Sequence, residues 1–266
     1  MEYILTTDKL TKIYGEKCAA DSVSLHIKKG DVYGLIGRNG AGKTTILKMI
    51  CGLSCPTRGS VTFLGKTGSE LSKEMHKIGS LIETPGLFPK MSAYQNLKIK
   101  CVLCGKDNDD YIKSLLKQVG LENVGKKHAQ SFSLGMKQRL GIALALVGDP
   151  EFIVLDEPIN GLDTDGMRIM REILVDITKK YGCTVLISSH ILGELEKIAT
   201  HYGIIRQGKM IMELSAEEKT ALLAQQDYLE NIGLSLDDFG GRSVMVREVP
   251  ADIRVESVED LVQEIA

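Results

Sequence analysis

Short apolar runs separated by polar turns occupy most of this chain, a pattern that predicts buried strands alternating with helices. Polar and apolar residues alternate over residues 22–27, and together with residues 3–7 they predict a small antiparallel sheet. Continuous apolar runs at residues 32–36, 152–155 and 184–187 predict strands that are buried on both faces of a parallel sheet. The chain therefore reads as an α/β protein with an antiparallel β-subdomain near its start.

The character of the sequence changes twice along the chain. From about residue 92 to 147, apolar residues recur at helical spacing, so we expect a helical subdomain at about 84–148 within one domain spanning 1–214. Residues 215–266 are rich in acids and predict a small α+β appendage, with helices at 216–232 and at the end of the chain and a strand at 243–246. We expect this appendage to serve packing, dimerisation or regulation.

A glycine-rich stretch follows the strand at residues 32–36 and fits the pattern G-x-x-x-x-G-K-[ST]. Glycines allow successive backbone N–H groups to face a phosphate, and the start of the next helix adds a partial positive charge. A lysine here reaches the β- and γ-phosphates, and the next hydroxyl is a magnesium ligand. The candidate nucleotide-binding residues are Gly37, Arg38, Asn39, Gly40, Ala41, Gly42, Lys43, Thr44 and Thr45.

Polar side chains follow the later buried strands. Asp156 and Glu157 come directly after the run at 152–155, at the sheet edge where ligands bind in open α/β sheets. Adjacent strand residues point to opposite sides, so Asp156 is predicted to serve Mg²⁺ while Glu157 faces an attacking water. His190 follows the strand at 184–187 and is predicted to contact the γ-phosphate or that water. Tyr14 is either a strand-end aromatic or a ring that stacks on a base.

Composition narrows the class of protein. The chain has 266 residues, 43% apolar and 26% charged, with a formal net charge of −2, so no basic surface predicts nucleic-acid binding. No apolar run reaches the length of about 18–20 residues that a membrane span needs, and the start lacks the features of a signal peptide. We expect a cytoplasmic protein with reduced cysteines, although Cys101-x-x-Cys104 leaves a functional thiol pair open.

One further stretch decides the kind of phosphate-binding protein. Residues 131–139, SFSLGMKQR, lie between Lys43 and Asp156. They resemble the signature motif of the ABC ATPases, usually LSGGQ: Phe132, Leu134 and Met136 differ, whereas Ser133 and Gly135 match. The resemblance covers about residues 3–214 and implies the P-loop NTPase fold of the ABC ATPase type.

The resemblance also implies roles for single residues. Tyr14 matches the aromatic that stacks on the base, Asp156 the Walker B acid, Glu157 the catalytic base and His190 the switch histidine. Asp163 matches the D-loop aspartate. The signature is implied to bind the nucleotide held by a second copy, through Ser133, Leu134, Gly135 and Met136.

Glu83 is the main departure, because the ABC ATPases usually have glutamine there. A carboxylate would add charge beside the metal, so either magnesium ligation by Glu83 or a changed coupling to the membrane subunit is expected. The glutamate, together with Ser133-Leu134-Gly135-Met136, resembles the ATPase subunits of bacitracin-resistance and lantibiotic-immunity exporters.

The function implied by this resemblance is ATP hydrolysis that powers export of antimicrobial peptides or drugs. It implies ATP and Mg²⁺ as cofactors, a homodimer or heterodimer of ATPase subunits in head-to-tail arrangement, and a separate transmembrane permease that holds the protein at the inner face of the membrane. The alternative is a soluble ABC ATPase acting on ribosomes or nucleic acid, which the single motif set and the absence of heptads or a basic patch disfavour. A non-ABC kinase or GTPase is also disfavoured, since the sequence has no Asn-Lys-x-Asp motif.

Overall fold

A computed structural model describes residues 3–195, 197–215, 235–238 and 244–248 of the chain. The strands are β1 (Tyr3–Tyr14), β2 (Lys17–Lys28), β3 (Val32–Ile36), β4 (Arg58–Phe63), β5 (Ile78–Leu81), β6 (Phe152–Asp156), β7 (Thr184–Ser189), β8 (His201–Arg206), β9 (Lys209–Ser215), β10 (Ser235–Asp238) and β11 (Val244–Glu248). The helices are α1 (Lys43–Ile50), α2 (Gly68–Glu74), α3 (Ala93–Leu103), α4 (Asp109–Gln118), α5 (Leu134–Leu146), α6 (Thr164–Tyr181) and α7 (Leu192–Leu195), with short 3₁₀ turns at Met75–Lys77 and Ala129–Ser131.

The central sheet has six strands in the order β5-β6-β7-β3-β8-β9. All neighbours are parallel except β8 and β9, which form an antiparallel hairpin. Because β3, β6 and β7 are neighbours running in one direction, their carboxyl ends meet at one edge. That edge carries the glycine loop and the polar residues predicted to carry the chemistry.

The central sheet is buried on both faces, which explains its continuous apolar strands. Along β6, Phe152 and Val154 face the side of α1 and the antiparallel sheet, whereas Ile153 and Leu155 face the helical side. This alternation follows from the period-two geometry of a strand. The sheet is therefore a rigid middle layer that fixes the residues at its edge.

A second sheet, of order β2-β1-β4, covers one face and is antiparallel throughout. This confirms the predicted β-subdomain and adds β4 as a third strand. Residues 66–72 have the polar composition of a loop, but residues 68–74 form helix α2. The helix buries none of its residues, so no apolar periodicity marks it in the sequence.

The predicted helical insert is present as α3, α4 and α5. Ser92 caps α3 in a capping box with Gln95, and Asn108 caps α4 by accepting from the N–H groups of the first turn. Arg139 of α5 donates to the carbonyls of Val119 (2.9 Å) and Gly120 (2.8 Å), which ties α5 to the end of α4. The insert is therefore held together by polar bonds as well as by its apolar core.

In the tail, the structure describes only the antiparallel pair β10 and β11. The helices predicted at 216–232 and at the end of the chain lie outside the described residues. Within the described part of the chain, no helix combines the length and the apolarity needed to cross a bilayer.

Candidate active site

The glycine loop joins the carboxyl end of β3 to the start of α1. Gly42 precedes the helix with φ of 106°, and a Cβ there would lie 2.2 Å from the carbonyl oxygen of Ala19. A Cβ on Gly37 would lie 2.5 Å from the carbonyl oxygen of Ile205. The loop is thus clamped between β2 and β8, and only glycine fits at both positions.

Lys43 is the first residue of α1 and is buried, with 5% of its surface exposed. Its Nζ donates to the carbonyl oxygens of Gly37 (2.5 Å) and Arg38 (3.2 Å), so the lysine folds back over the loop. The same Nζ lies 3.0 Å from Oε1 of Glu157. The structure therefore brings the predicted phosphate-binding lysine and the predicted base into one ion pair.

Asp156 is buried at the end of β6 and shares its two carboxylate oxygens between two hydroxyls. Oδ2 accepts from Thr44 Oγ1 at 2.8 Å, and Oδ1 accepts from Ser188 Oγ at 2.6 Å. The acid strand, the strand β7 and the helix α1 are thereby linked at one point. Thr44 and Asp156, predicted separately from two motifs, lie side by side.

Glu157 follows directly after β6, and its backbone has a left-handed conformation with φ of 49°. Its Oε2 lies 2.7 Å from Nδ1 of His190. The predicted contact of His190 with the γ-phosphate or the attacking water stays a prediction. Oε1 of Glu157 is buried and receives no hydrogen bond from the described residues, so only the ion pair with Lys43 holds it. The carboxylate thus keeps lone pairs available for a further donor.

Glu83 also has a positive φ, of 62°, in the turn after β5. Its Oε1 lies 2.6 Å from Nζ of Lys48, which projects from α1. The hydrogen bond to Glu83 raises the pKa of Lys48. The charge that distinguishes this position from the usual glutamine is therefore balanced by a cation, and magnesium ligation by Glu83 stays a prediction.

Tyr14 ends β1 and is half exposed. The Nζ of Lys12 lies 5.0 Å from the centre of its ring, and the lysine is anchored by donating to the carbonyl oxygen of Cys55. The Tyr14 hydroxyl lies 3.4 Å from Oγ of Ser54. An exposed, braced ring suits stacking on a base, and the stacking role stays a prediction.

The signature stretch forms the start of α5. Ser133 is the N-cap, and its Oγ accepts from the N–H of Met136 at 3.3 Å. Ser133 and Leu134 are exposed, whereas Gly135 and Met136 are half-buried. Asp163 caps α6 by accepting from the N–H of Gly166 at 3.0 Å. Both helix starts therefore present polar, surface-accessible groups, as a site completed by a second copy requires.

The residues present fit a magnesium ion. Mg²⁺ in nucleotide sites takes one or two carboxylates together with phosphate oxygens and waters rather than a full protein cage. Thr44 and Asp156 supply a hydroxyl and a buried carboxylate next to the glycine loop. Among the described residues, no group of three or more acidic, histidine or cysteine side chains forms a separate metal cage.

Two contacts at the site were missed by sequence reasoning. Ser188 binds both acids, and its only signal was its position two residues before His190 at a strand end. Lys48 pairs with Glu83 across 35 positions of sequence, and nothing in the local pattern indicates it. Both depend on which elements the fold brings together.

Comparison with known proteins shows what the chain resembles. The family model described as ABC transporter matches residues 20–160, which include the glycine loop, the signature stretch and both acids. A second model, described as MutL C terminal dimerisation domain, matches residues 208–266.

Relatives of known name extend the likeness. The bacitracin transport ATP-binding protein BcrA of Enterococcus faecalis is 43% identical over 82% of this chain and 71% of its own length. The lantibiotic transport ATP-binding protein SrtF of Streptococcus pyogenes is 46% identical over 79% of this chain and 90% of its own. The ATP-binding cassette MJ0796, solved as a dimer in a post-hydrolysis state with ADP and Pi, superposes with a TM-score of 0.71 at 25% identity, covering 79% of this chain and 98% of its own.

Proposed function

The chain belongs to the ABC transporter family as an ATP-binding, ATP-hydrolysing subunit, and on that premise we propose that it powers export of antimicrobial peptides or drugs of the bacitracin or lantibiotic type. The names of BcrA and SrtF support this cargo class. We propose that a separate membrane permease carries the cargo and holds the subunit at the inner face of the membrane. The Glu83 turn and the helical insert are the surfaces proposed to contact it.

The contact that carries the proposed chemistry is the placement of Glu157 between Lys43 and His190. Glu157 acts as the general base and takes a proton from the water that attacks the γ-phosphorus of ATP. A bond forms between that water and phosphorus, and the bond to the β,γ-bridging oxygen breaks. General-base catalysis of this kind is typically worth about 10²–10⁴ in rate.

The other side chains position the substrate. The glycine-loop N–H groups and Lys43 bind the phosphates, while the half-exposed ring of Tyr14 stacks on the adenine. Thr44 and Asp156 would hold Mg²⁺, and the bound ion would neutralise charge on the phosphate oxygens. His190, within 2.7 Å of Glu157, orients the base.

A second copy completes the site in this proposal. The exposed N-terminus of α5 and Ser133 bind the phosphates held by the partner, so ATP draws two copies together in head-to-tail arrangement. Loss of the γ-phosphate removes the group that bridges the two copies and lets them separate. The dimeric cassette with ADP and Pi supports this cycle by likeness.

The experiment measures two quantities: phosphate release by the protein, and the antibiotic tolerance of cells that carry it. Glu157→Gln should abolish phosphate release and retain ATP, and cells that carry it should lose tolerance to bacitracin or to a lantibiotic. Glu151→Gln removes the same charge at the other end of β6, where Glu151 pairs only with Lys29 and Lys77 among the described residues, and should leave both unchanged.

Wild-type turnover in Glu157→Gln would remove Glu157 from the role of base. If Glu157→Gln loses turnover but the cells keep their tolerance, the assignment of the ATPase chemistry stands and the proposed cargo class is refuted. A mild-detergent purification from native membranes completes the test: a multi-span protein at stoichiometric amounts is expected, and ribosomal proteins or nucleic acid in its place would refute the transport role.

A further inference from the structure

Ser188 is a buried hydroxyl at the carboxyl end of β7, next to the two acids of β6. Its relative exposure is 0%, and its Cα pairs with that of Asp156 in the parallel ladder between the two strands. A polar side chain so deeply buried requires hydrogen-bond partners. The hydrogen-bond partners of Ser188 belong to Asp156 and Glu157, the two acids of the site.

The hydroxyl uses both of its hydrogen-bonding roles on these two acids. It donates its proton to Oδ1 of Asp156 at 2.6 Å and accepts the backbone N–H of Glu157 at 2.9 Å. Because Thr44 donates to the other oxygen of Asp156, the carboxylate is fixed from two sides. Ser188 thus fixes the carboxylate of one acid and the backbone of the next.

The hydrogen bond between Ser188 and Glu157 lies at a strained point of the backbone. Glu157 has φ of 49°, a left-handed conformation that side chains other than glycine rarely adopt. In this conformation, its carboxylate reaches Lys43 and His190, while the carboxylate of Asp156 reaches Thr44. The turn at Glu157 therefore points the carboxylates of Asp156 and Glu157 to different partners. The backbone N–H of Glu157 in this turn donates to the Ser188 hydroxyl.

We propose that Ser188 is a positioning residue for ATP hydrolysis, holding Asp156 toward the metal and Glu157 toward the attacking water through one hydroxyl. This inference rests on the proposed role of Glu157 as the base. Because Ser188 is fully buried, it acts in this proposal only through the two acids. Changes to such outer partners typically cost about 10–100-fold in activity or metal affinity.

Ser189 offers a matched control one residue away. It is also buried, at 3% exposure, but its hydroxyl bonds only to the backbone of Ile191 among the described residues, as acceptor from its N–H (2.9 Å) and as donor to its carbonyl (3.4 Å). Removing this hydroxyl disturbs the same strand end without touching either acid. The pair of variants thus separates positioning of the acids from general disturbance of the loop.

The test measures phosphate release by the full-length chain carrying Ser188→Ala, Ser189→Ala or Glu157→Gln. It also measures the affinity for ADP, both in EDTA and with Mg²⁺. For Ser188→Ala we expect kcat to fall about 10–100-fold, with the ADP affinity in EDTA unchanged within about twofold and the gain in affinity from Mg²⁺ reduced. Ser189→Ala should keep kcat within about twofold of wild type. Ser188→Cys, similar in size but a weak hydrogen-bonding group, should show the same split as Ser188→Ala.

Turnover within about twofold of wild type in both Ser188 variants, with Glu157→Gln inactive, would overturn this inference and leave the proposed function standing. Equal losses of kcat and of ADP affinity in EDTA would also overturn it, since they would indicate a general structural role. Full turnover in Glu157→Gln would instead overturn the assignment of the base, on which the inference rests.

Discussion

The ion pair between Lys43 and Glu157 predicts that the proposed base weakens nucleotide binding. Lys43 is the cation that the phosphates of a nucleotide require, and Glu157 holds it at 3.0 Å. Phosphates that bind the glycine loop must compete with this carboxylate and also meet its negative charge. Glu157→Gln should therefore bind ADP more tightly than the wild type does, in addition to losing turnover.

The magnitude follows from the depth of the pair. Lys43 is 5% and Glu157 21% exposed, so screening by water is incomplete. The gross attraction is about 5–6 kcal/mol at an effective dielectric constant of about 20. Desolvation offsets most of it, which leaves about 1–2 kcal/mol for a charge-assisted contact. Since 1.4 kcal/mol is about tenfold in affinity, Glu157→Gln should bind ADP about 5- to 30-fold more tightly.

The assay is calorimetric titration of ADP into the chain in EDTA. ADP avoids hydrolysis, and EDTA removes any effect that acts through the metal. Glu151→Gln controls for the change in net charge, because Glu151 lies at the opposite end of β6. An affinity within about twofold of wild type in Glu157→Gln, or the same gain in Glu151→Gln, would refute the competition.

Two substitutions and one labelling experiment test other parts of the structure. Ser133→Arg should block ATP-driven dimerisation in gel filtration while ATP still binds the monomer, because a long cation replaces the small cap at the exposed start of α5; normal dimerisation would contradict the proposed role of the signature. Gly79→Ala should lower the free energy of unfolding in urea by about 1–3 kcal/mol, since its Cβ would lie 2.1 Å from the carbonyl oxygen of Ala145; unchanged stability would show that β5 and α5 can separate. At pH 8 a thiol reagent should label the exposed cysteines quickly and the buried Cys101 and Cys183 only after denaturation, because burial raises the pKa of Cys101 and raises that of Cys183 to about 12; rapid labelling of these two would refute the packing. The cysteines expected to react quickly are Cys18, Cys55 and Cys104.

The motifs that depend only on residues close together in the chain were predictable from the sequence. The glycine loop needs a strand before it and a helix after it, and the buried run before Asp156 needs a parallel sheet, so both could be placed on their elements. A short polar residue directly before a helical apolar pattern predicts an N-cap, and Asp163 caps α6 in this way. Each of these features depends on neighbours within a few residues.

The features that the sequence did not reveal depend on strand order and on distant partners. Nothing in residues 184–190 indicates that Ser188 pairs in register with Asp156, because that register follows from the packing of two strands 32 positions apart. The pairing of Glu83 with Lys48 needs α1 and the turn after β5 to meet. Tertiary contacts of this kind leave no periodic signal in the sequence.

The position of β3 in the sheet has a consequence for biosynthesis. Its two neighbours are β7 (Thr184–Ser189) and β8 (His201–Arg206), and Gly37 N–H donates to the carbonyl oxygen of Ser189. A nascent chain that ends before Thr184 contains the whole glycine loop and β2, but it contains neither β7 nor β8, the two strands that flank β3. Contacts between distant segments form slowly, and an unpaired apolar strand is prone to aggregation until they form. We therefore expect a nascent chain to gain nucleotide binding only late in translation, and the chain length at which it first captures nucleotide would mark the completion of the sheet around β3.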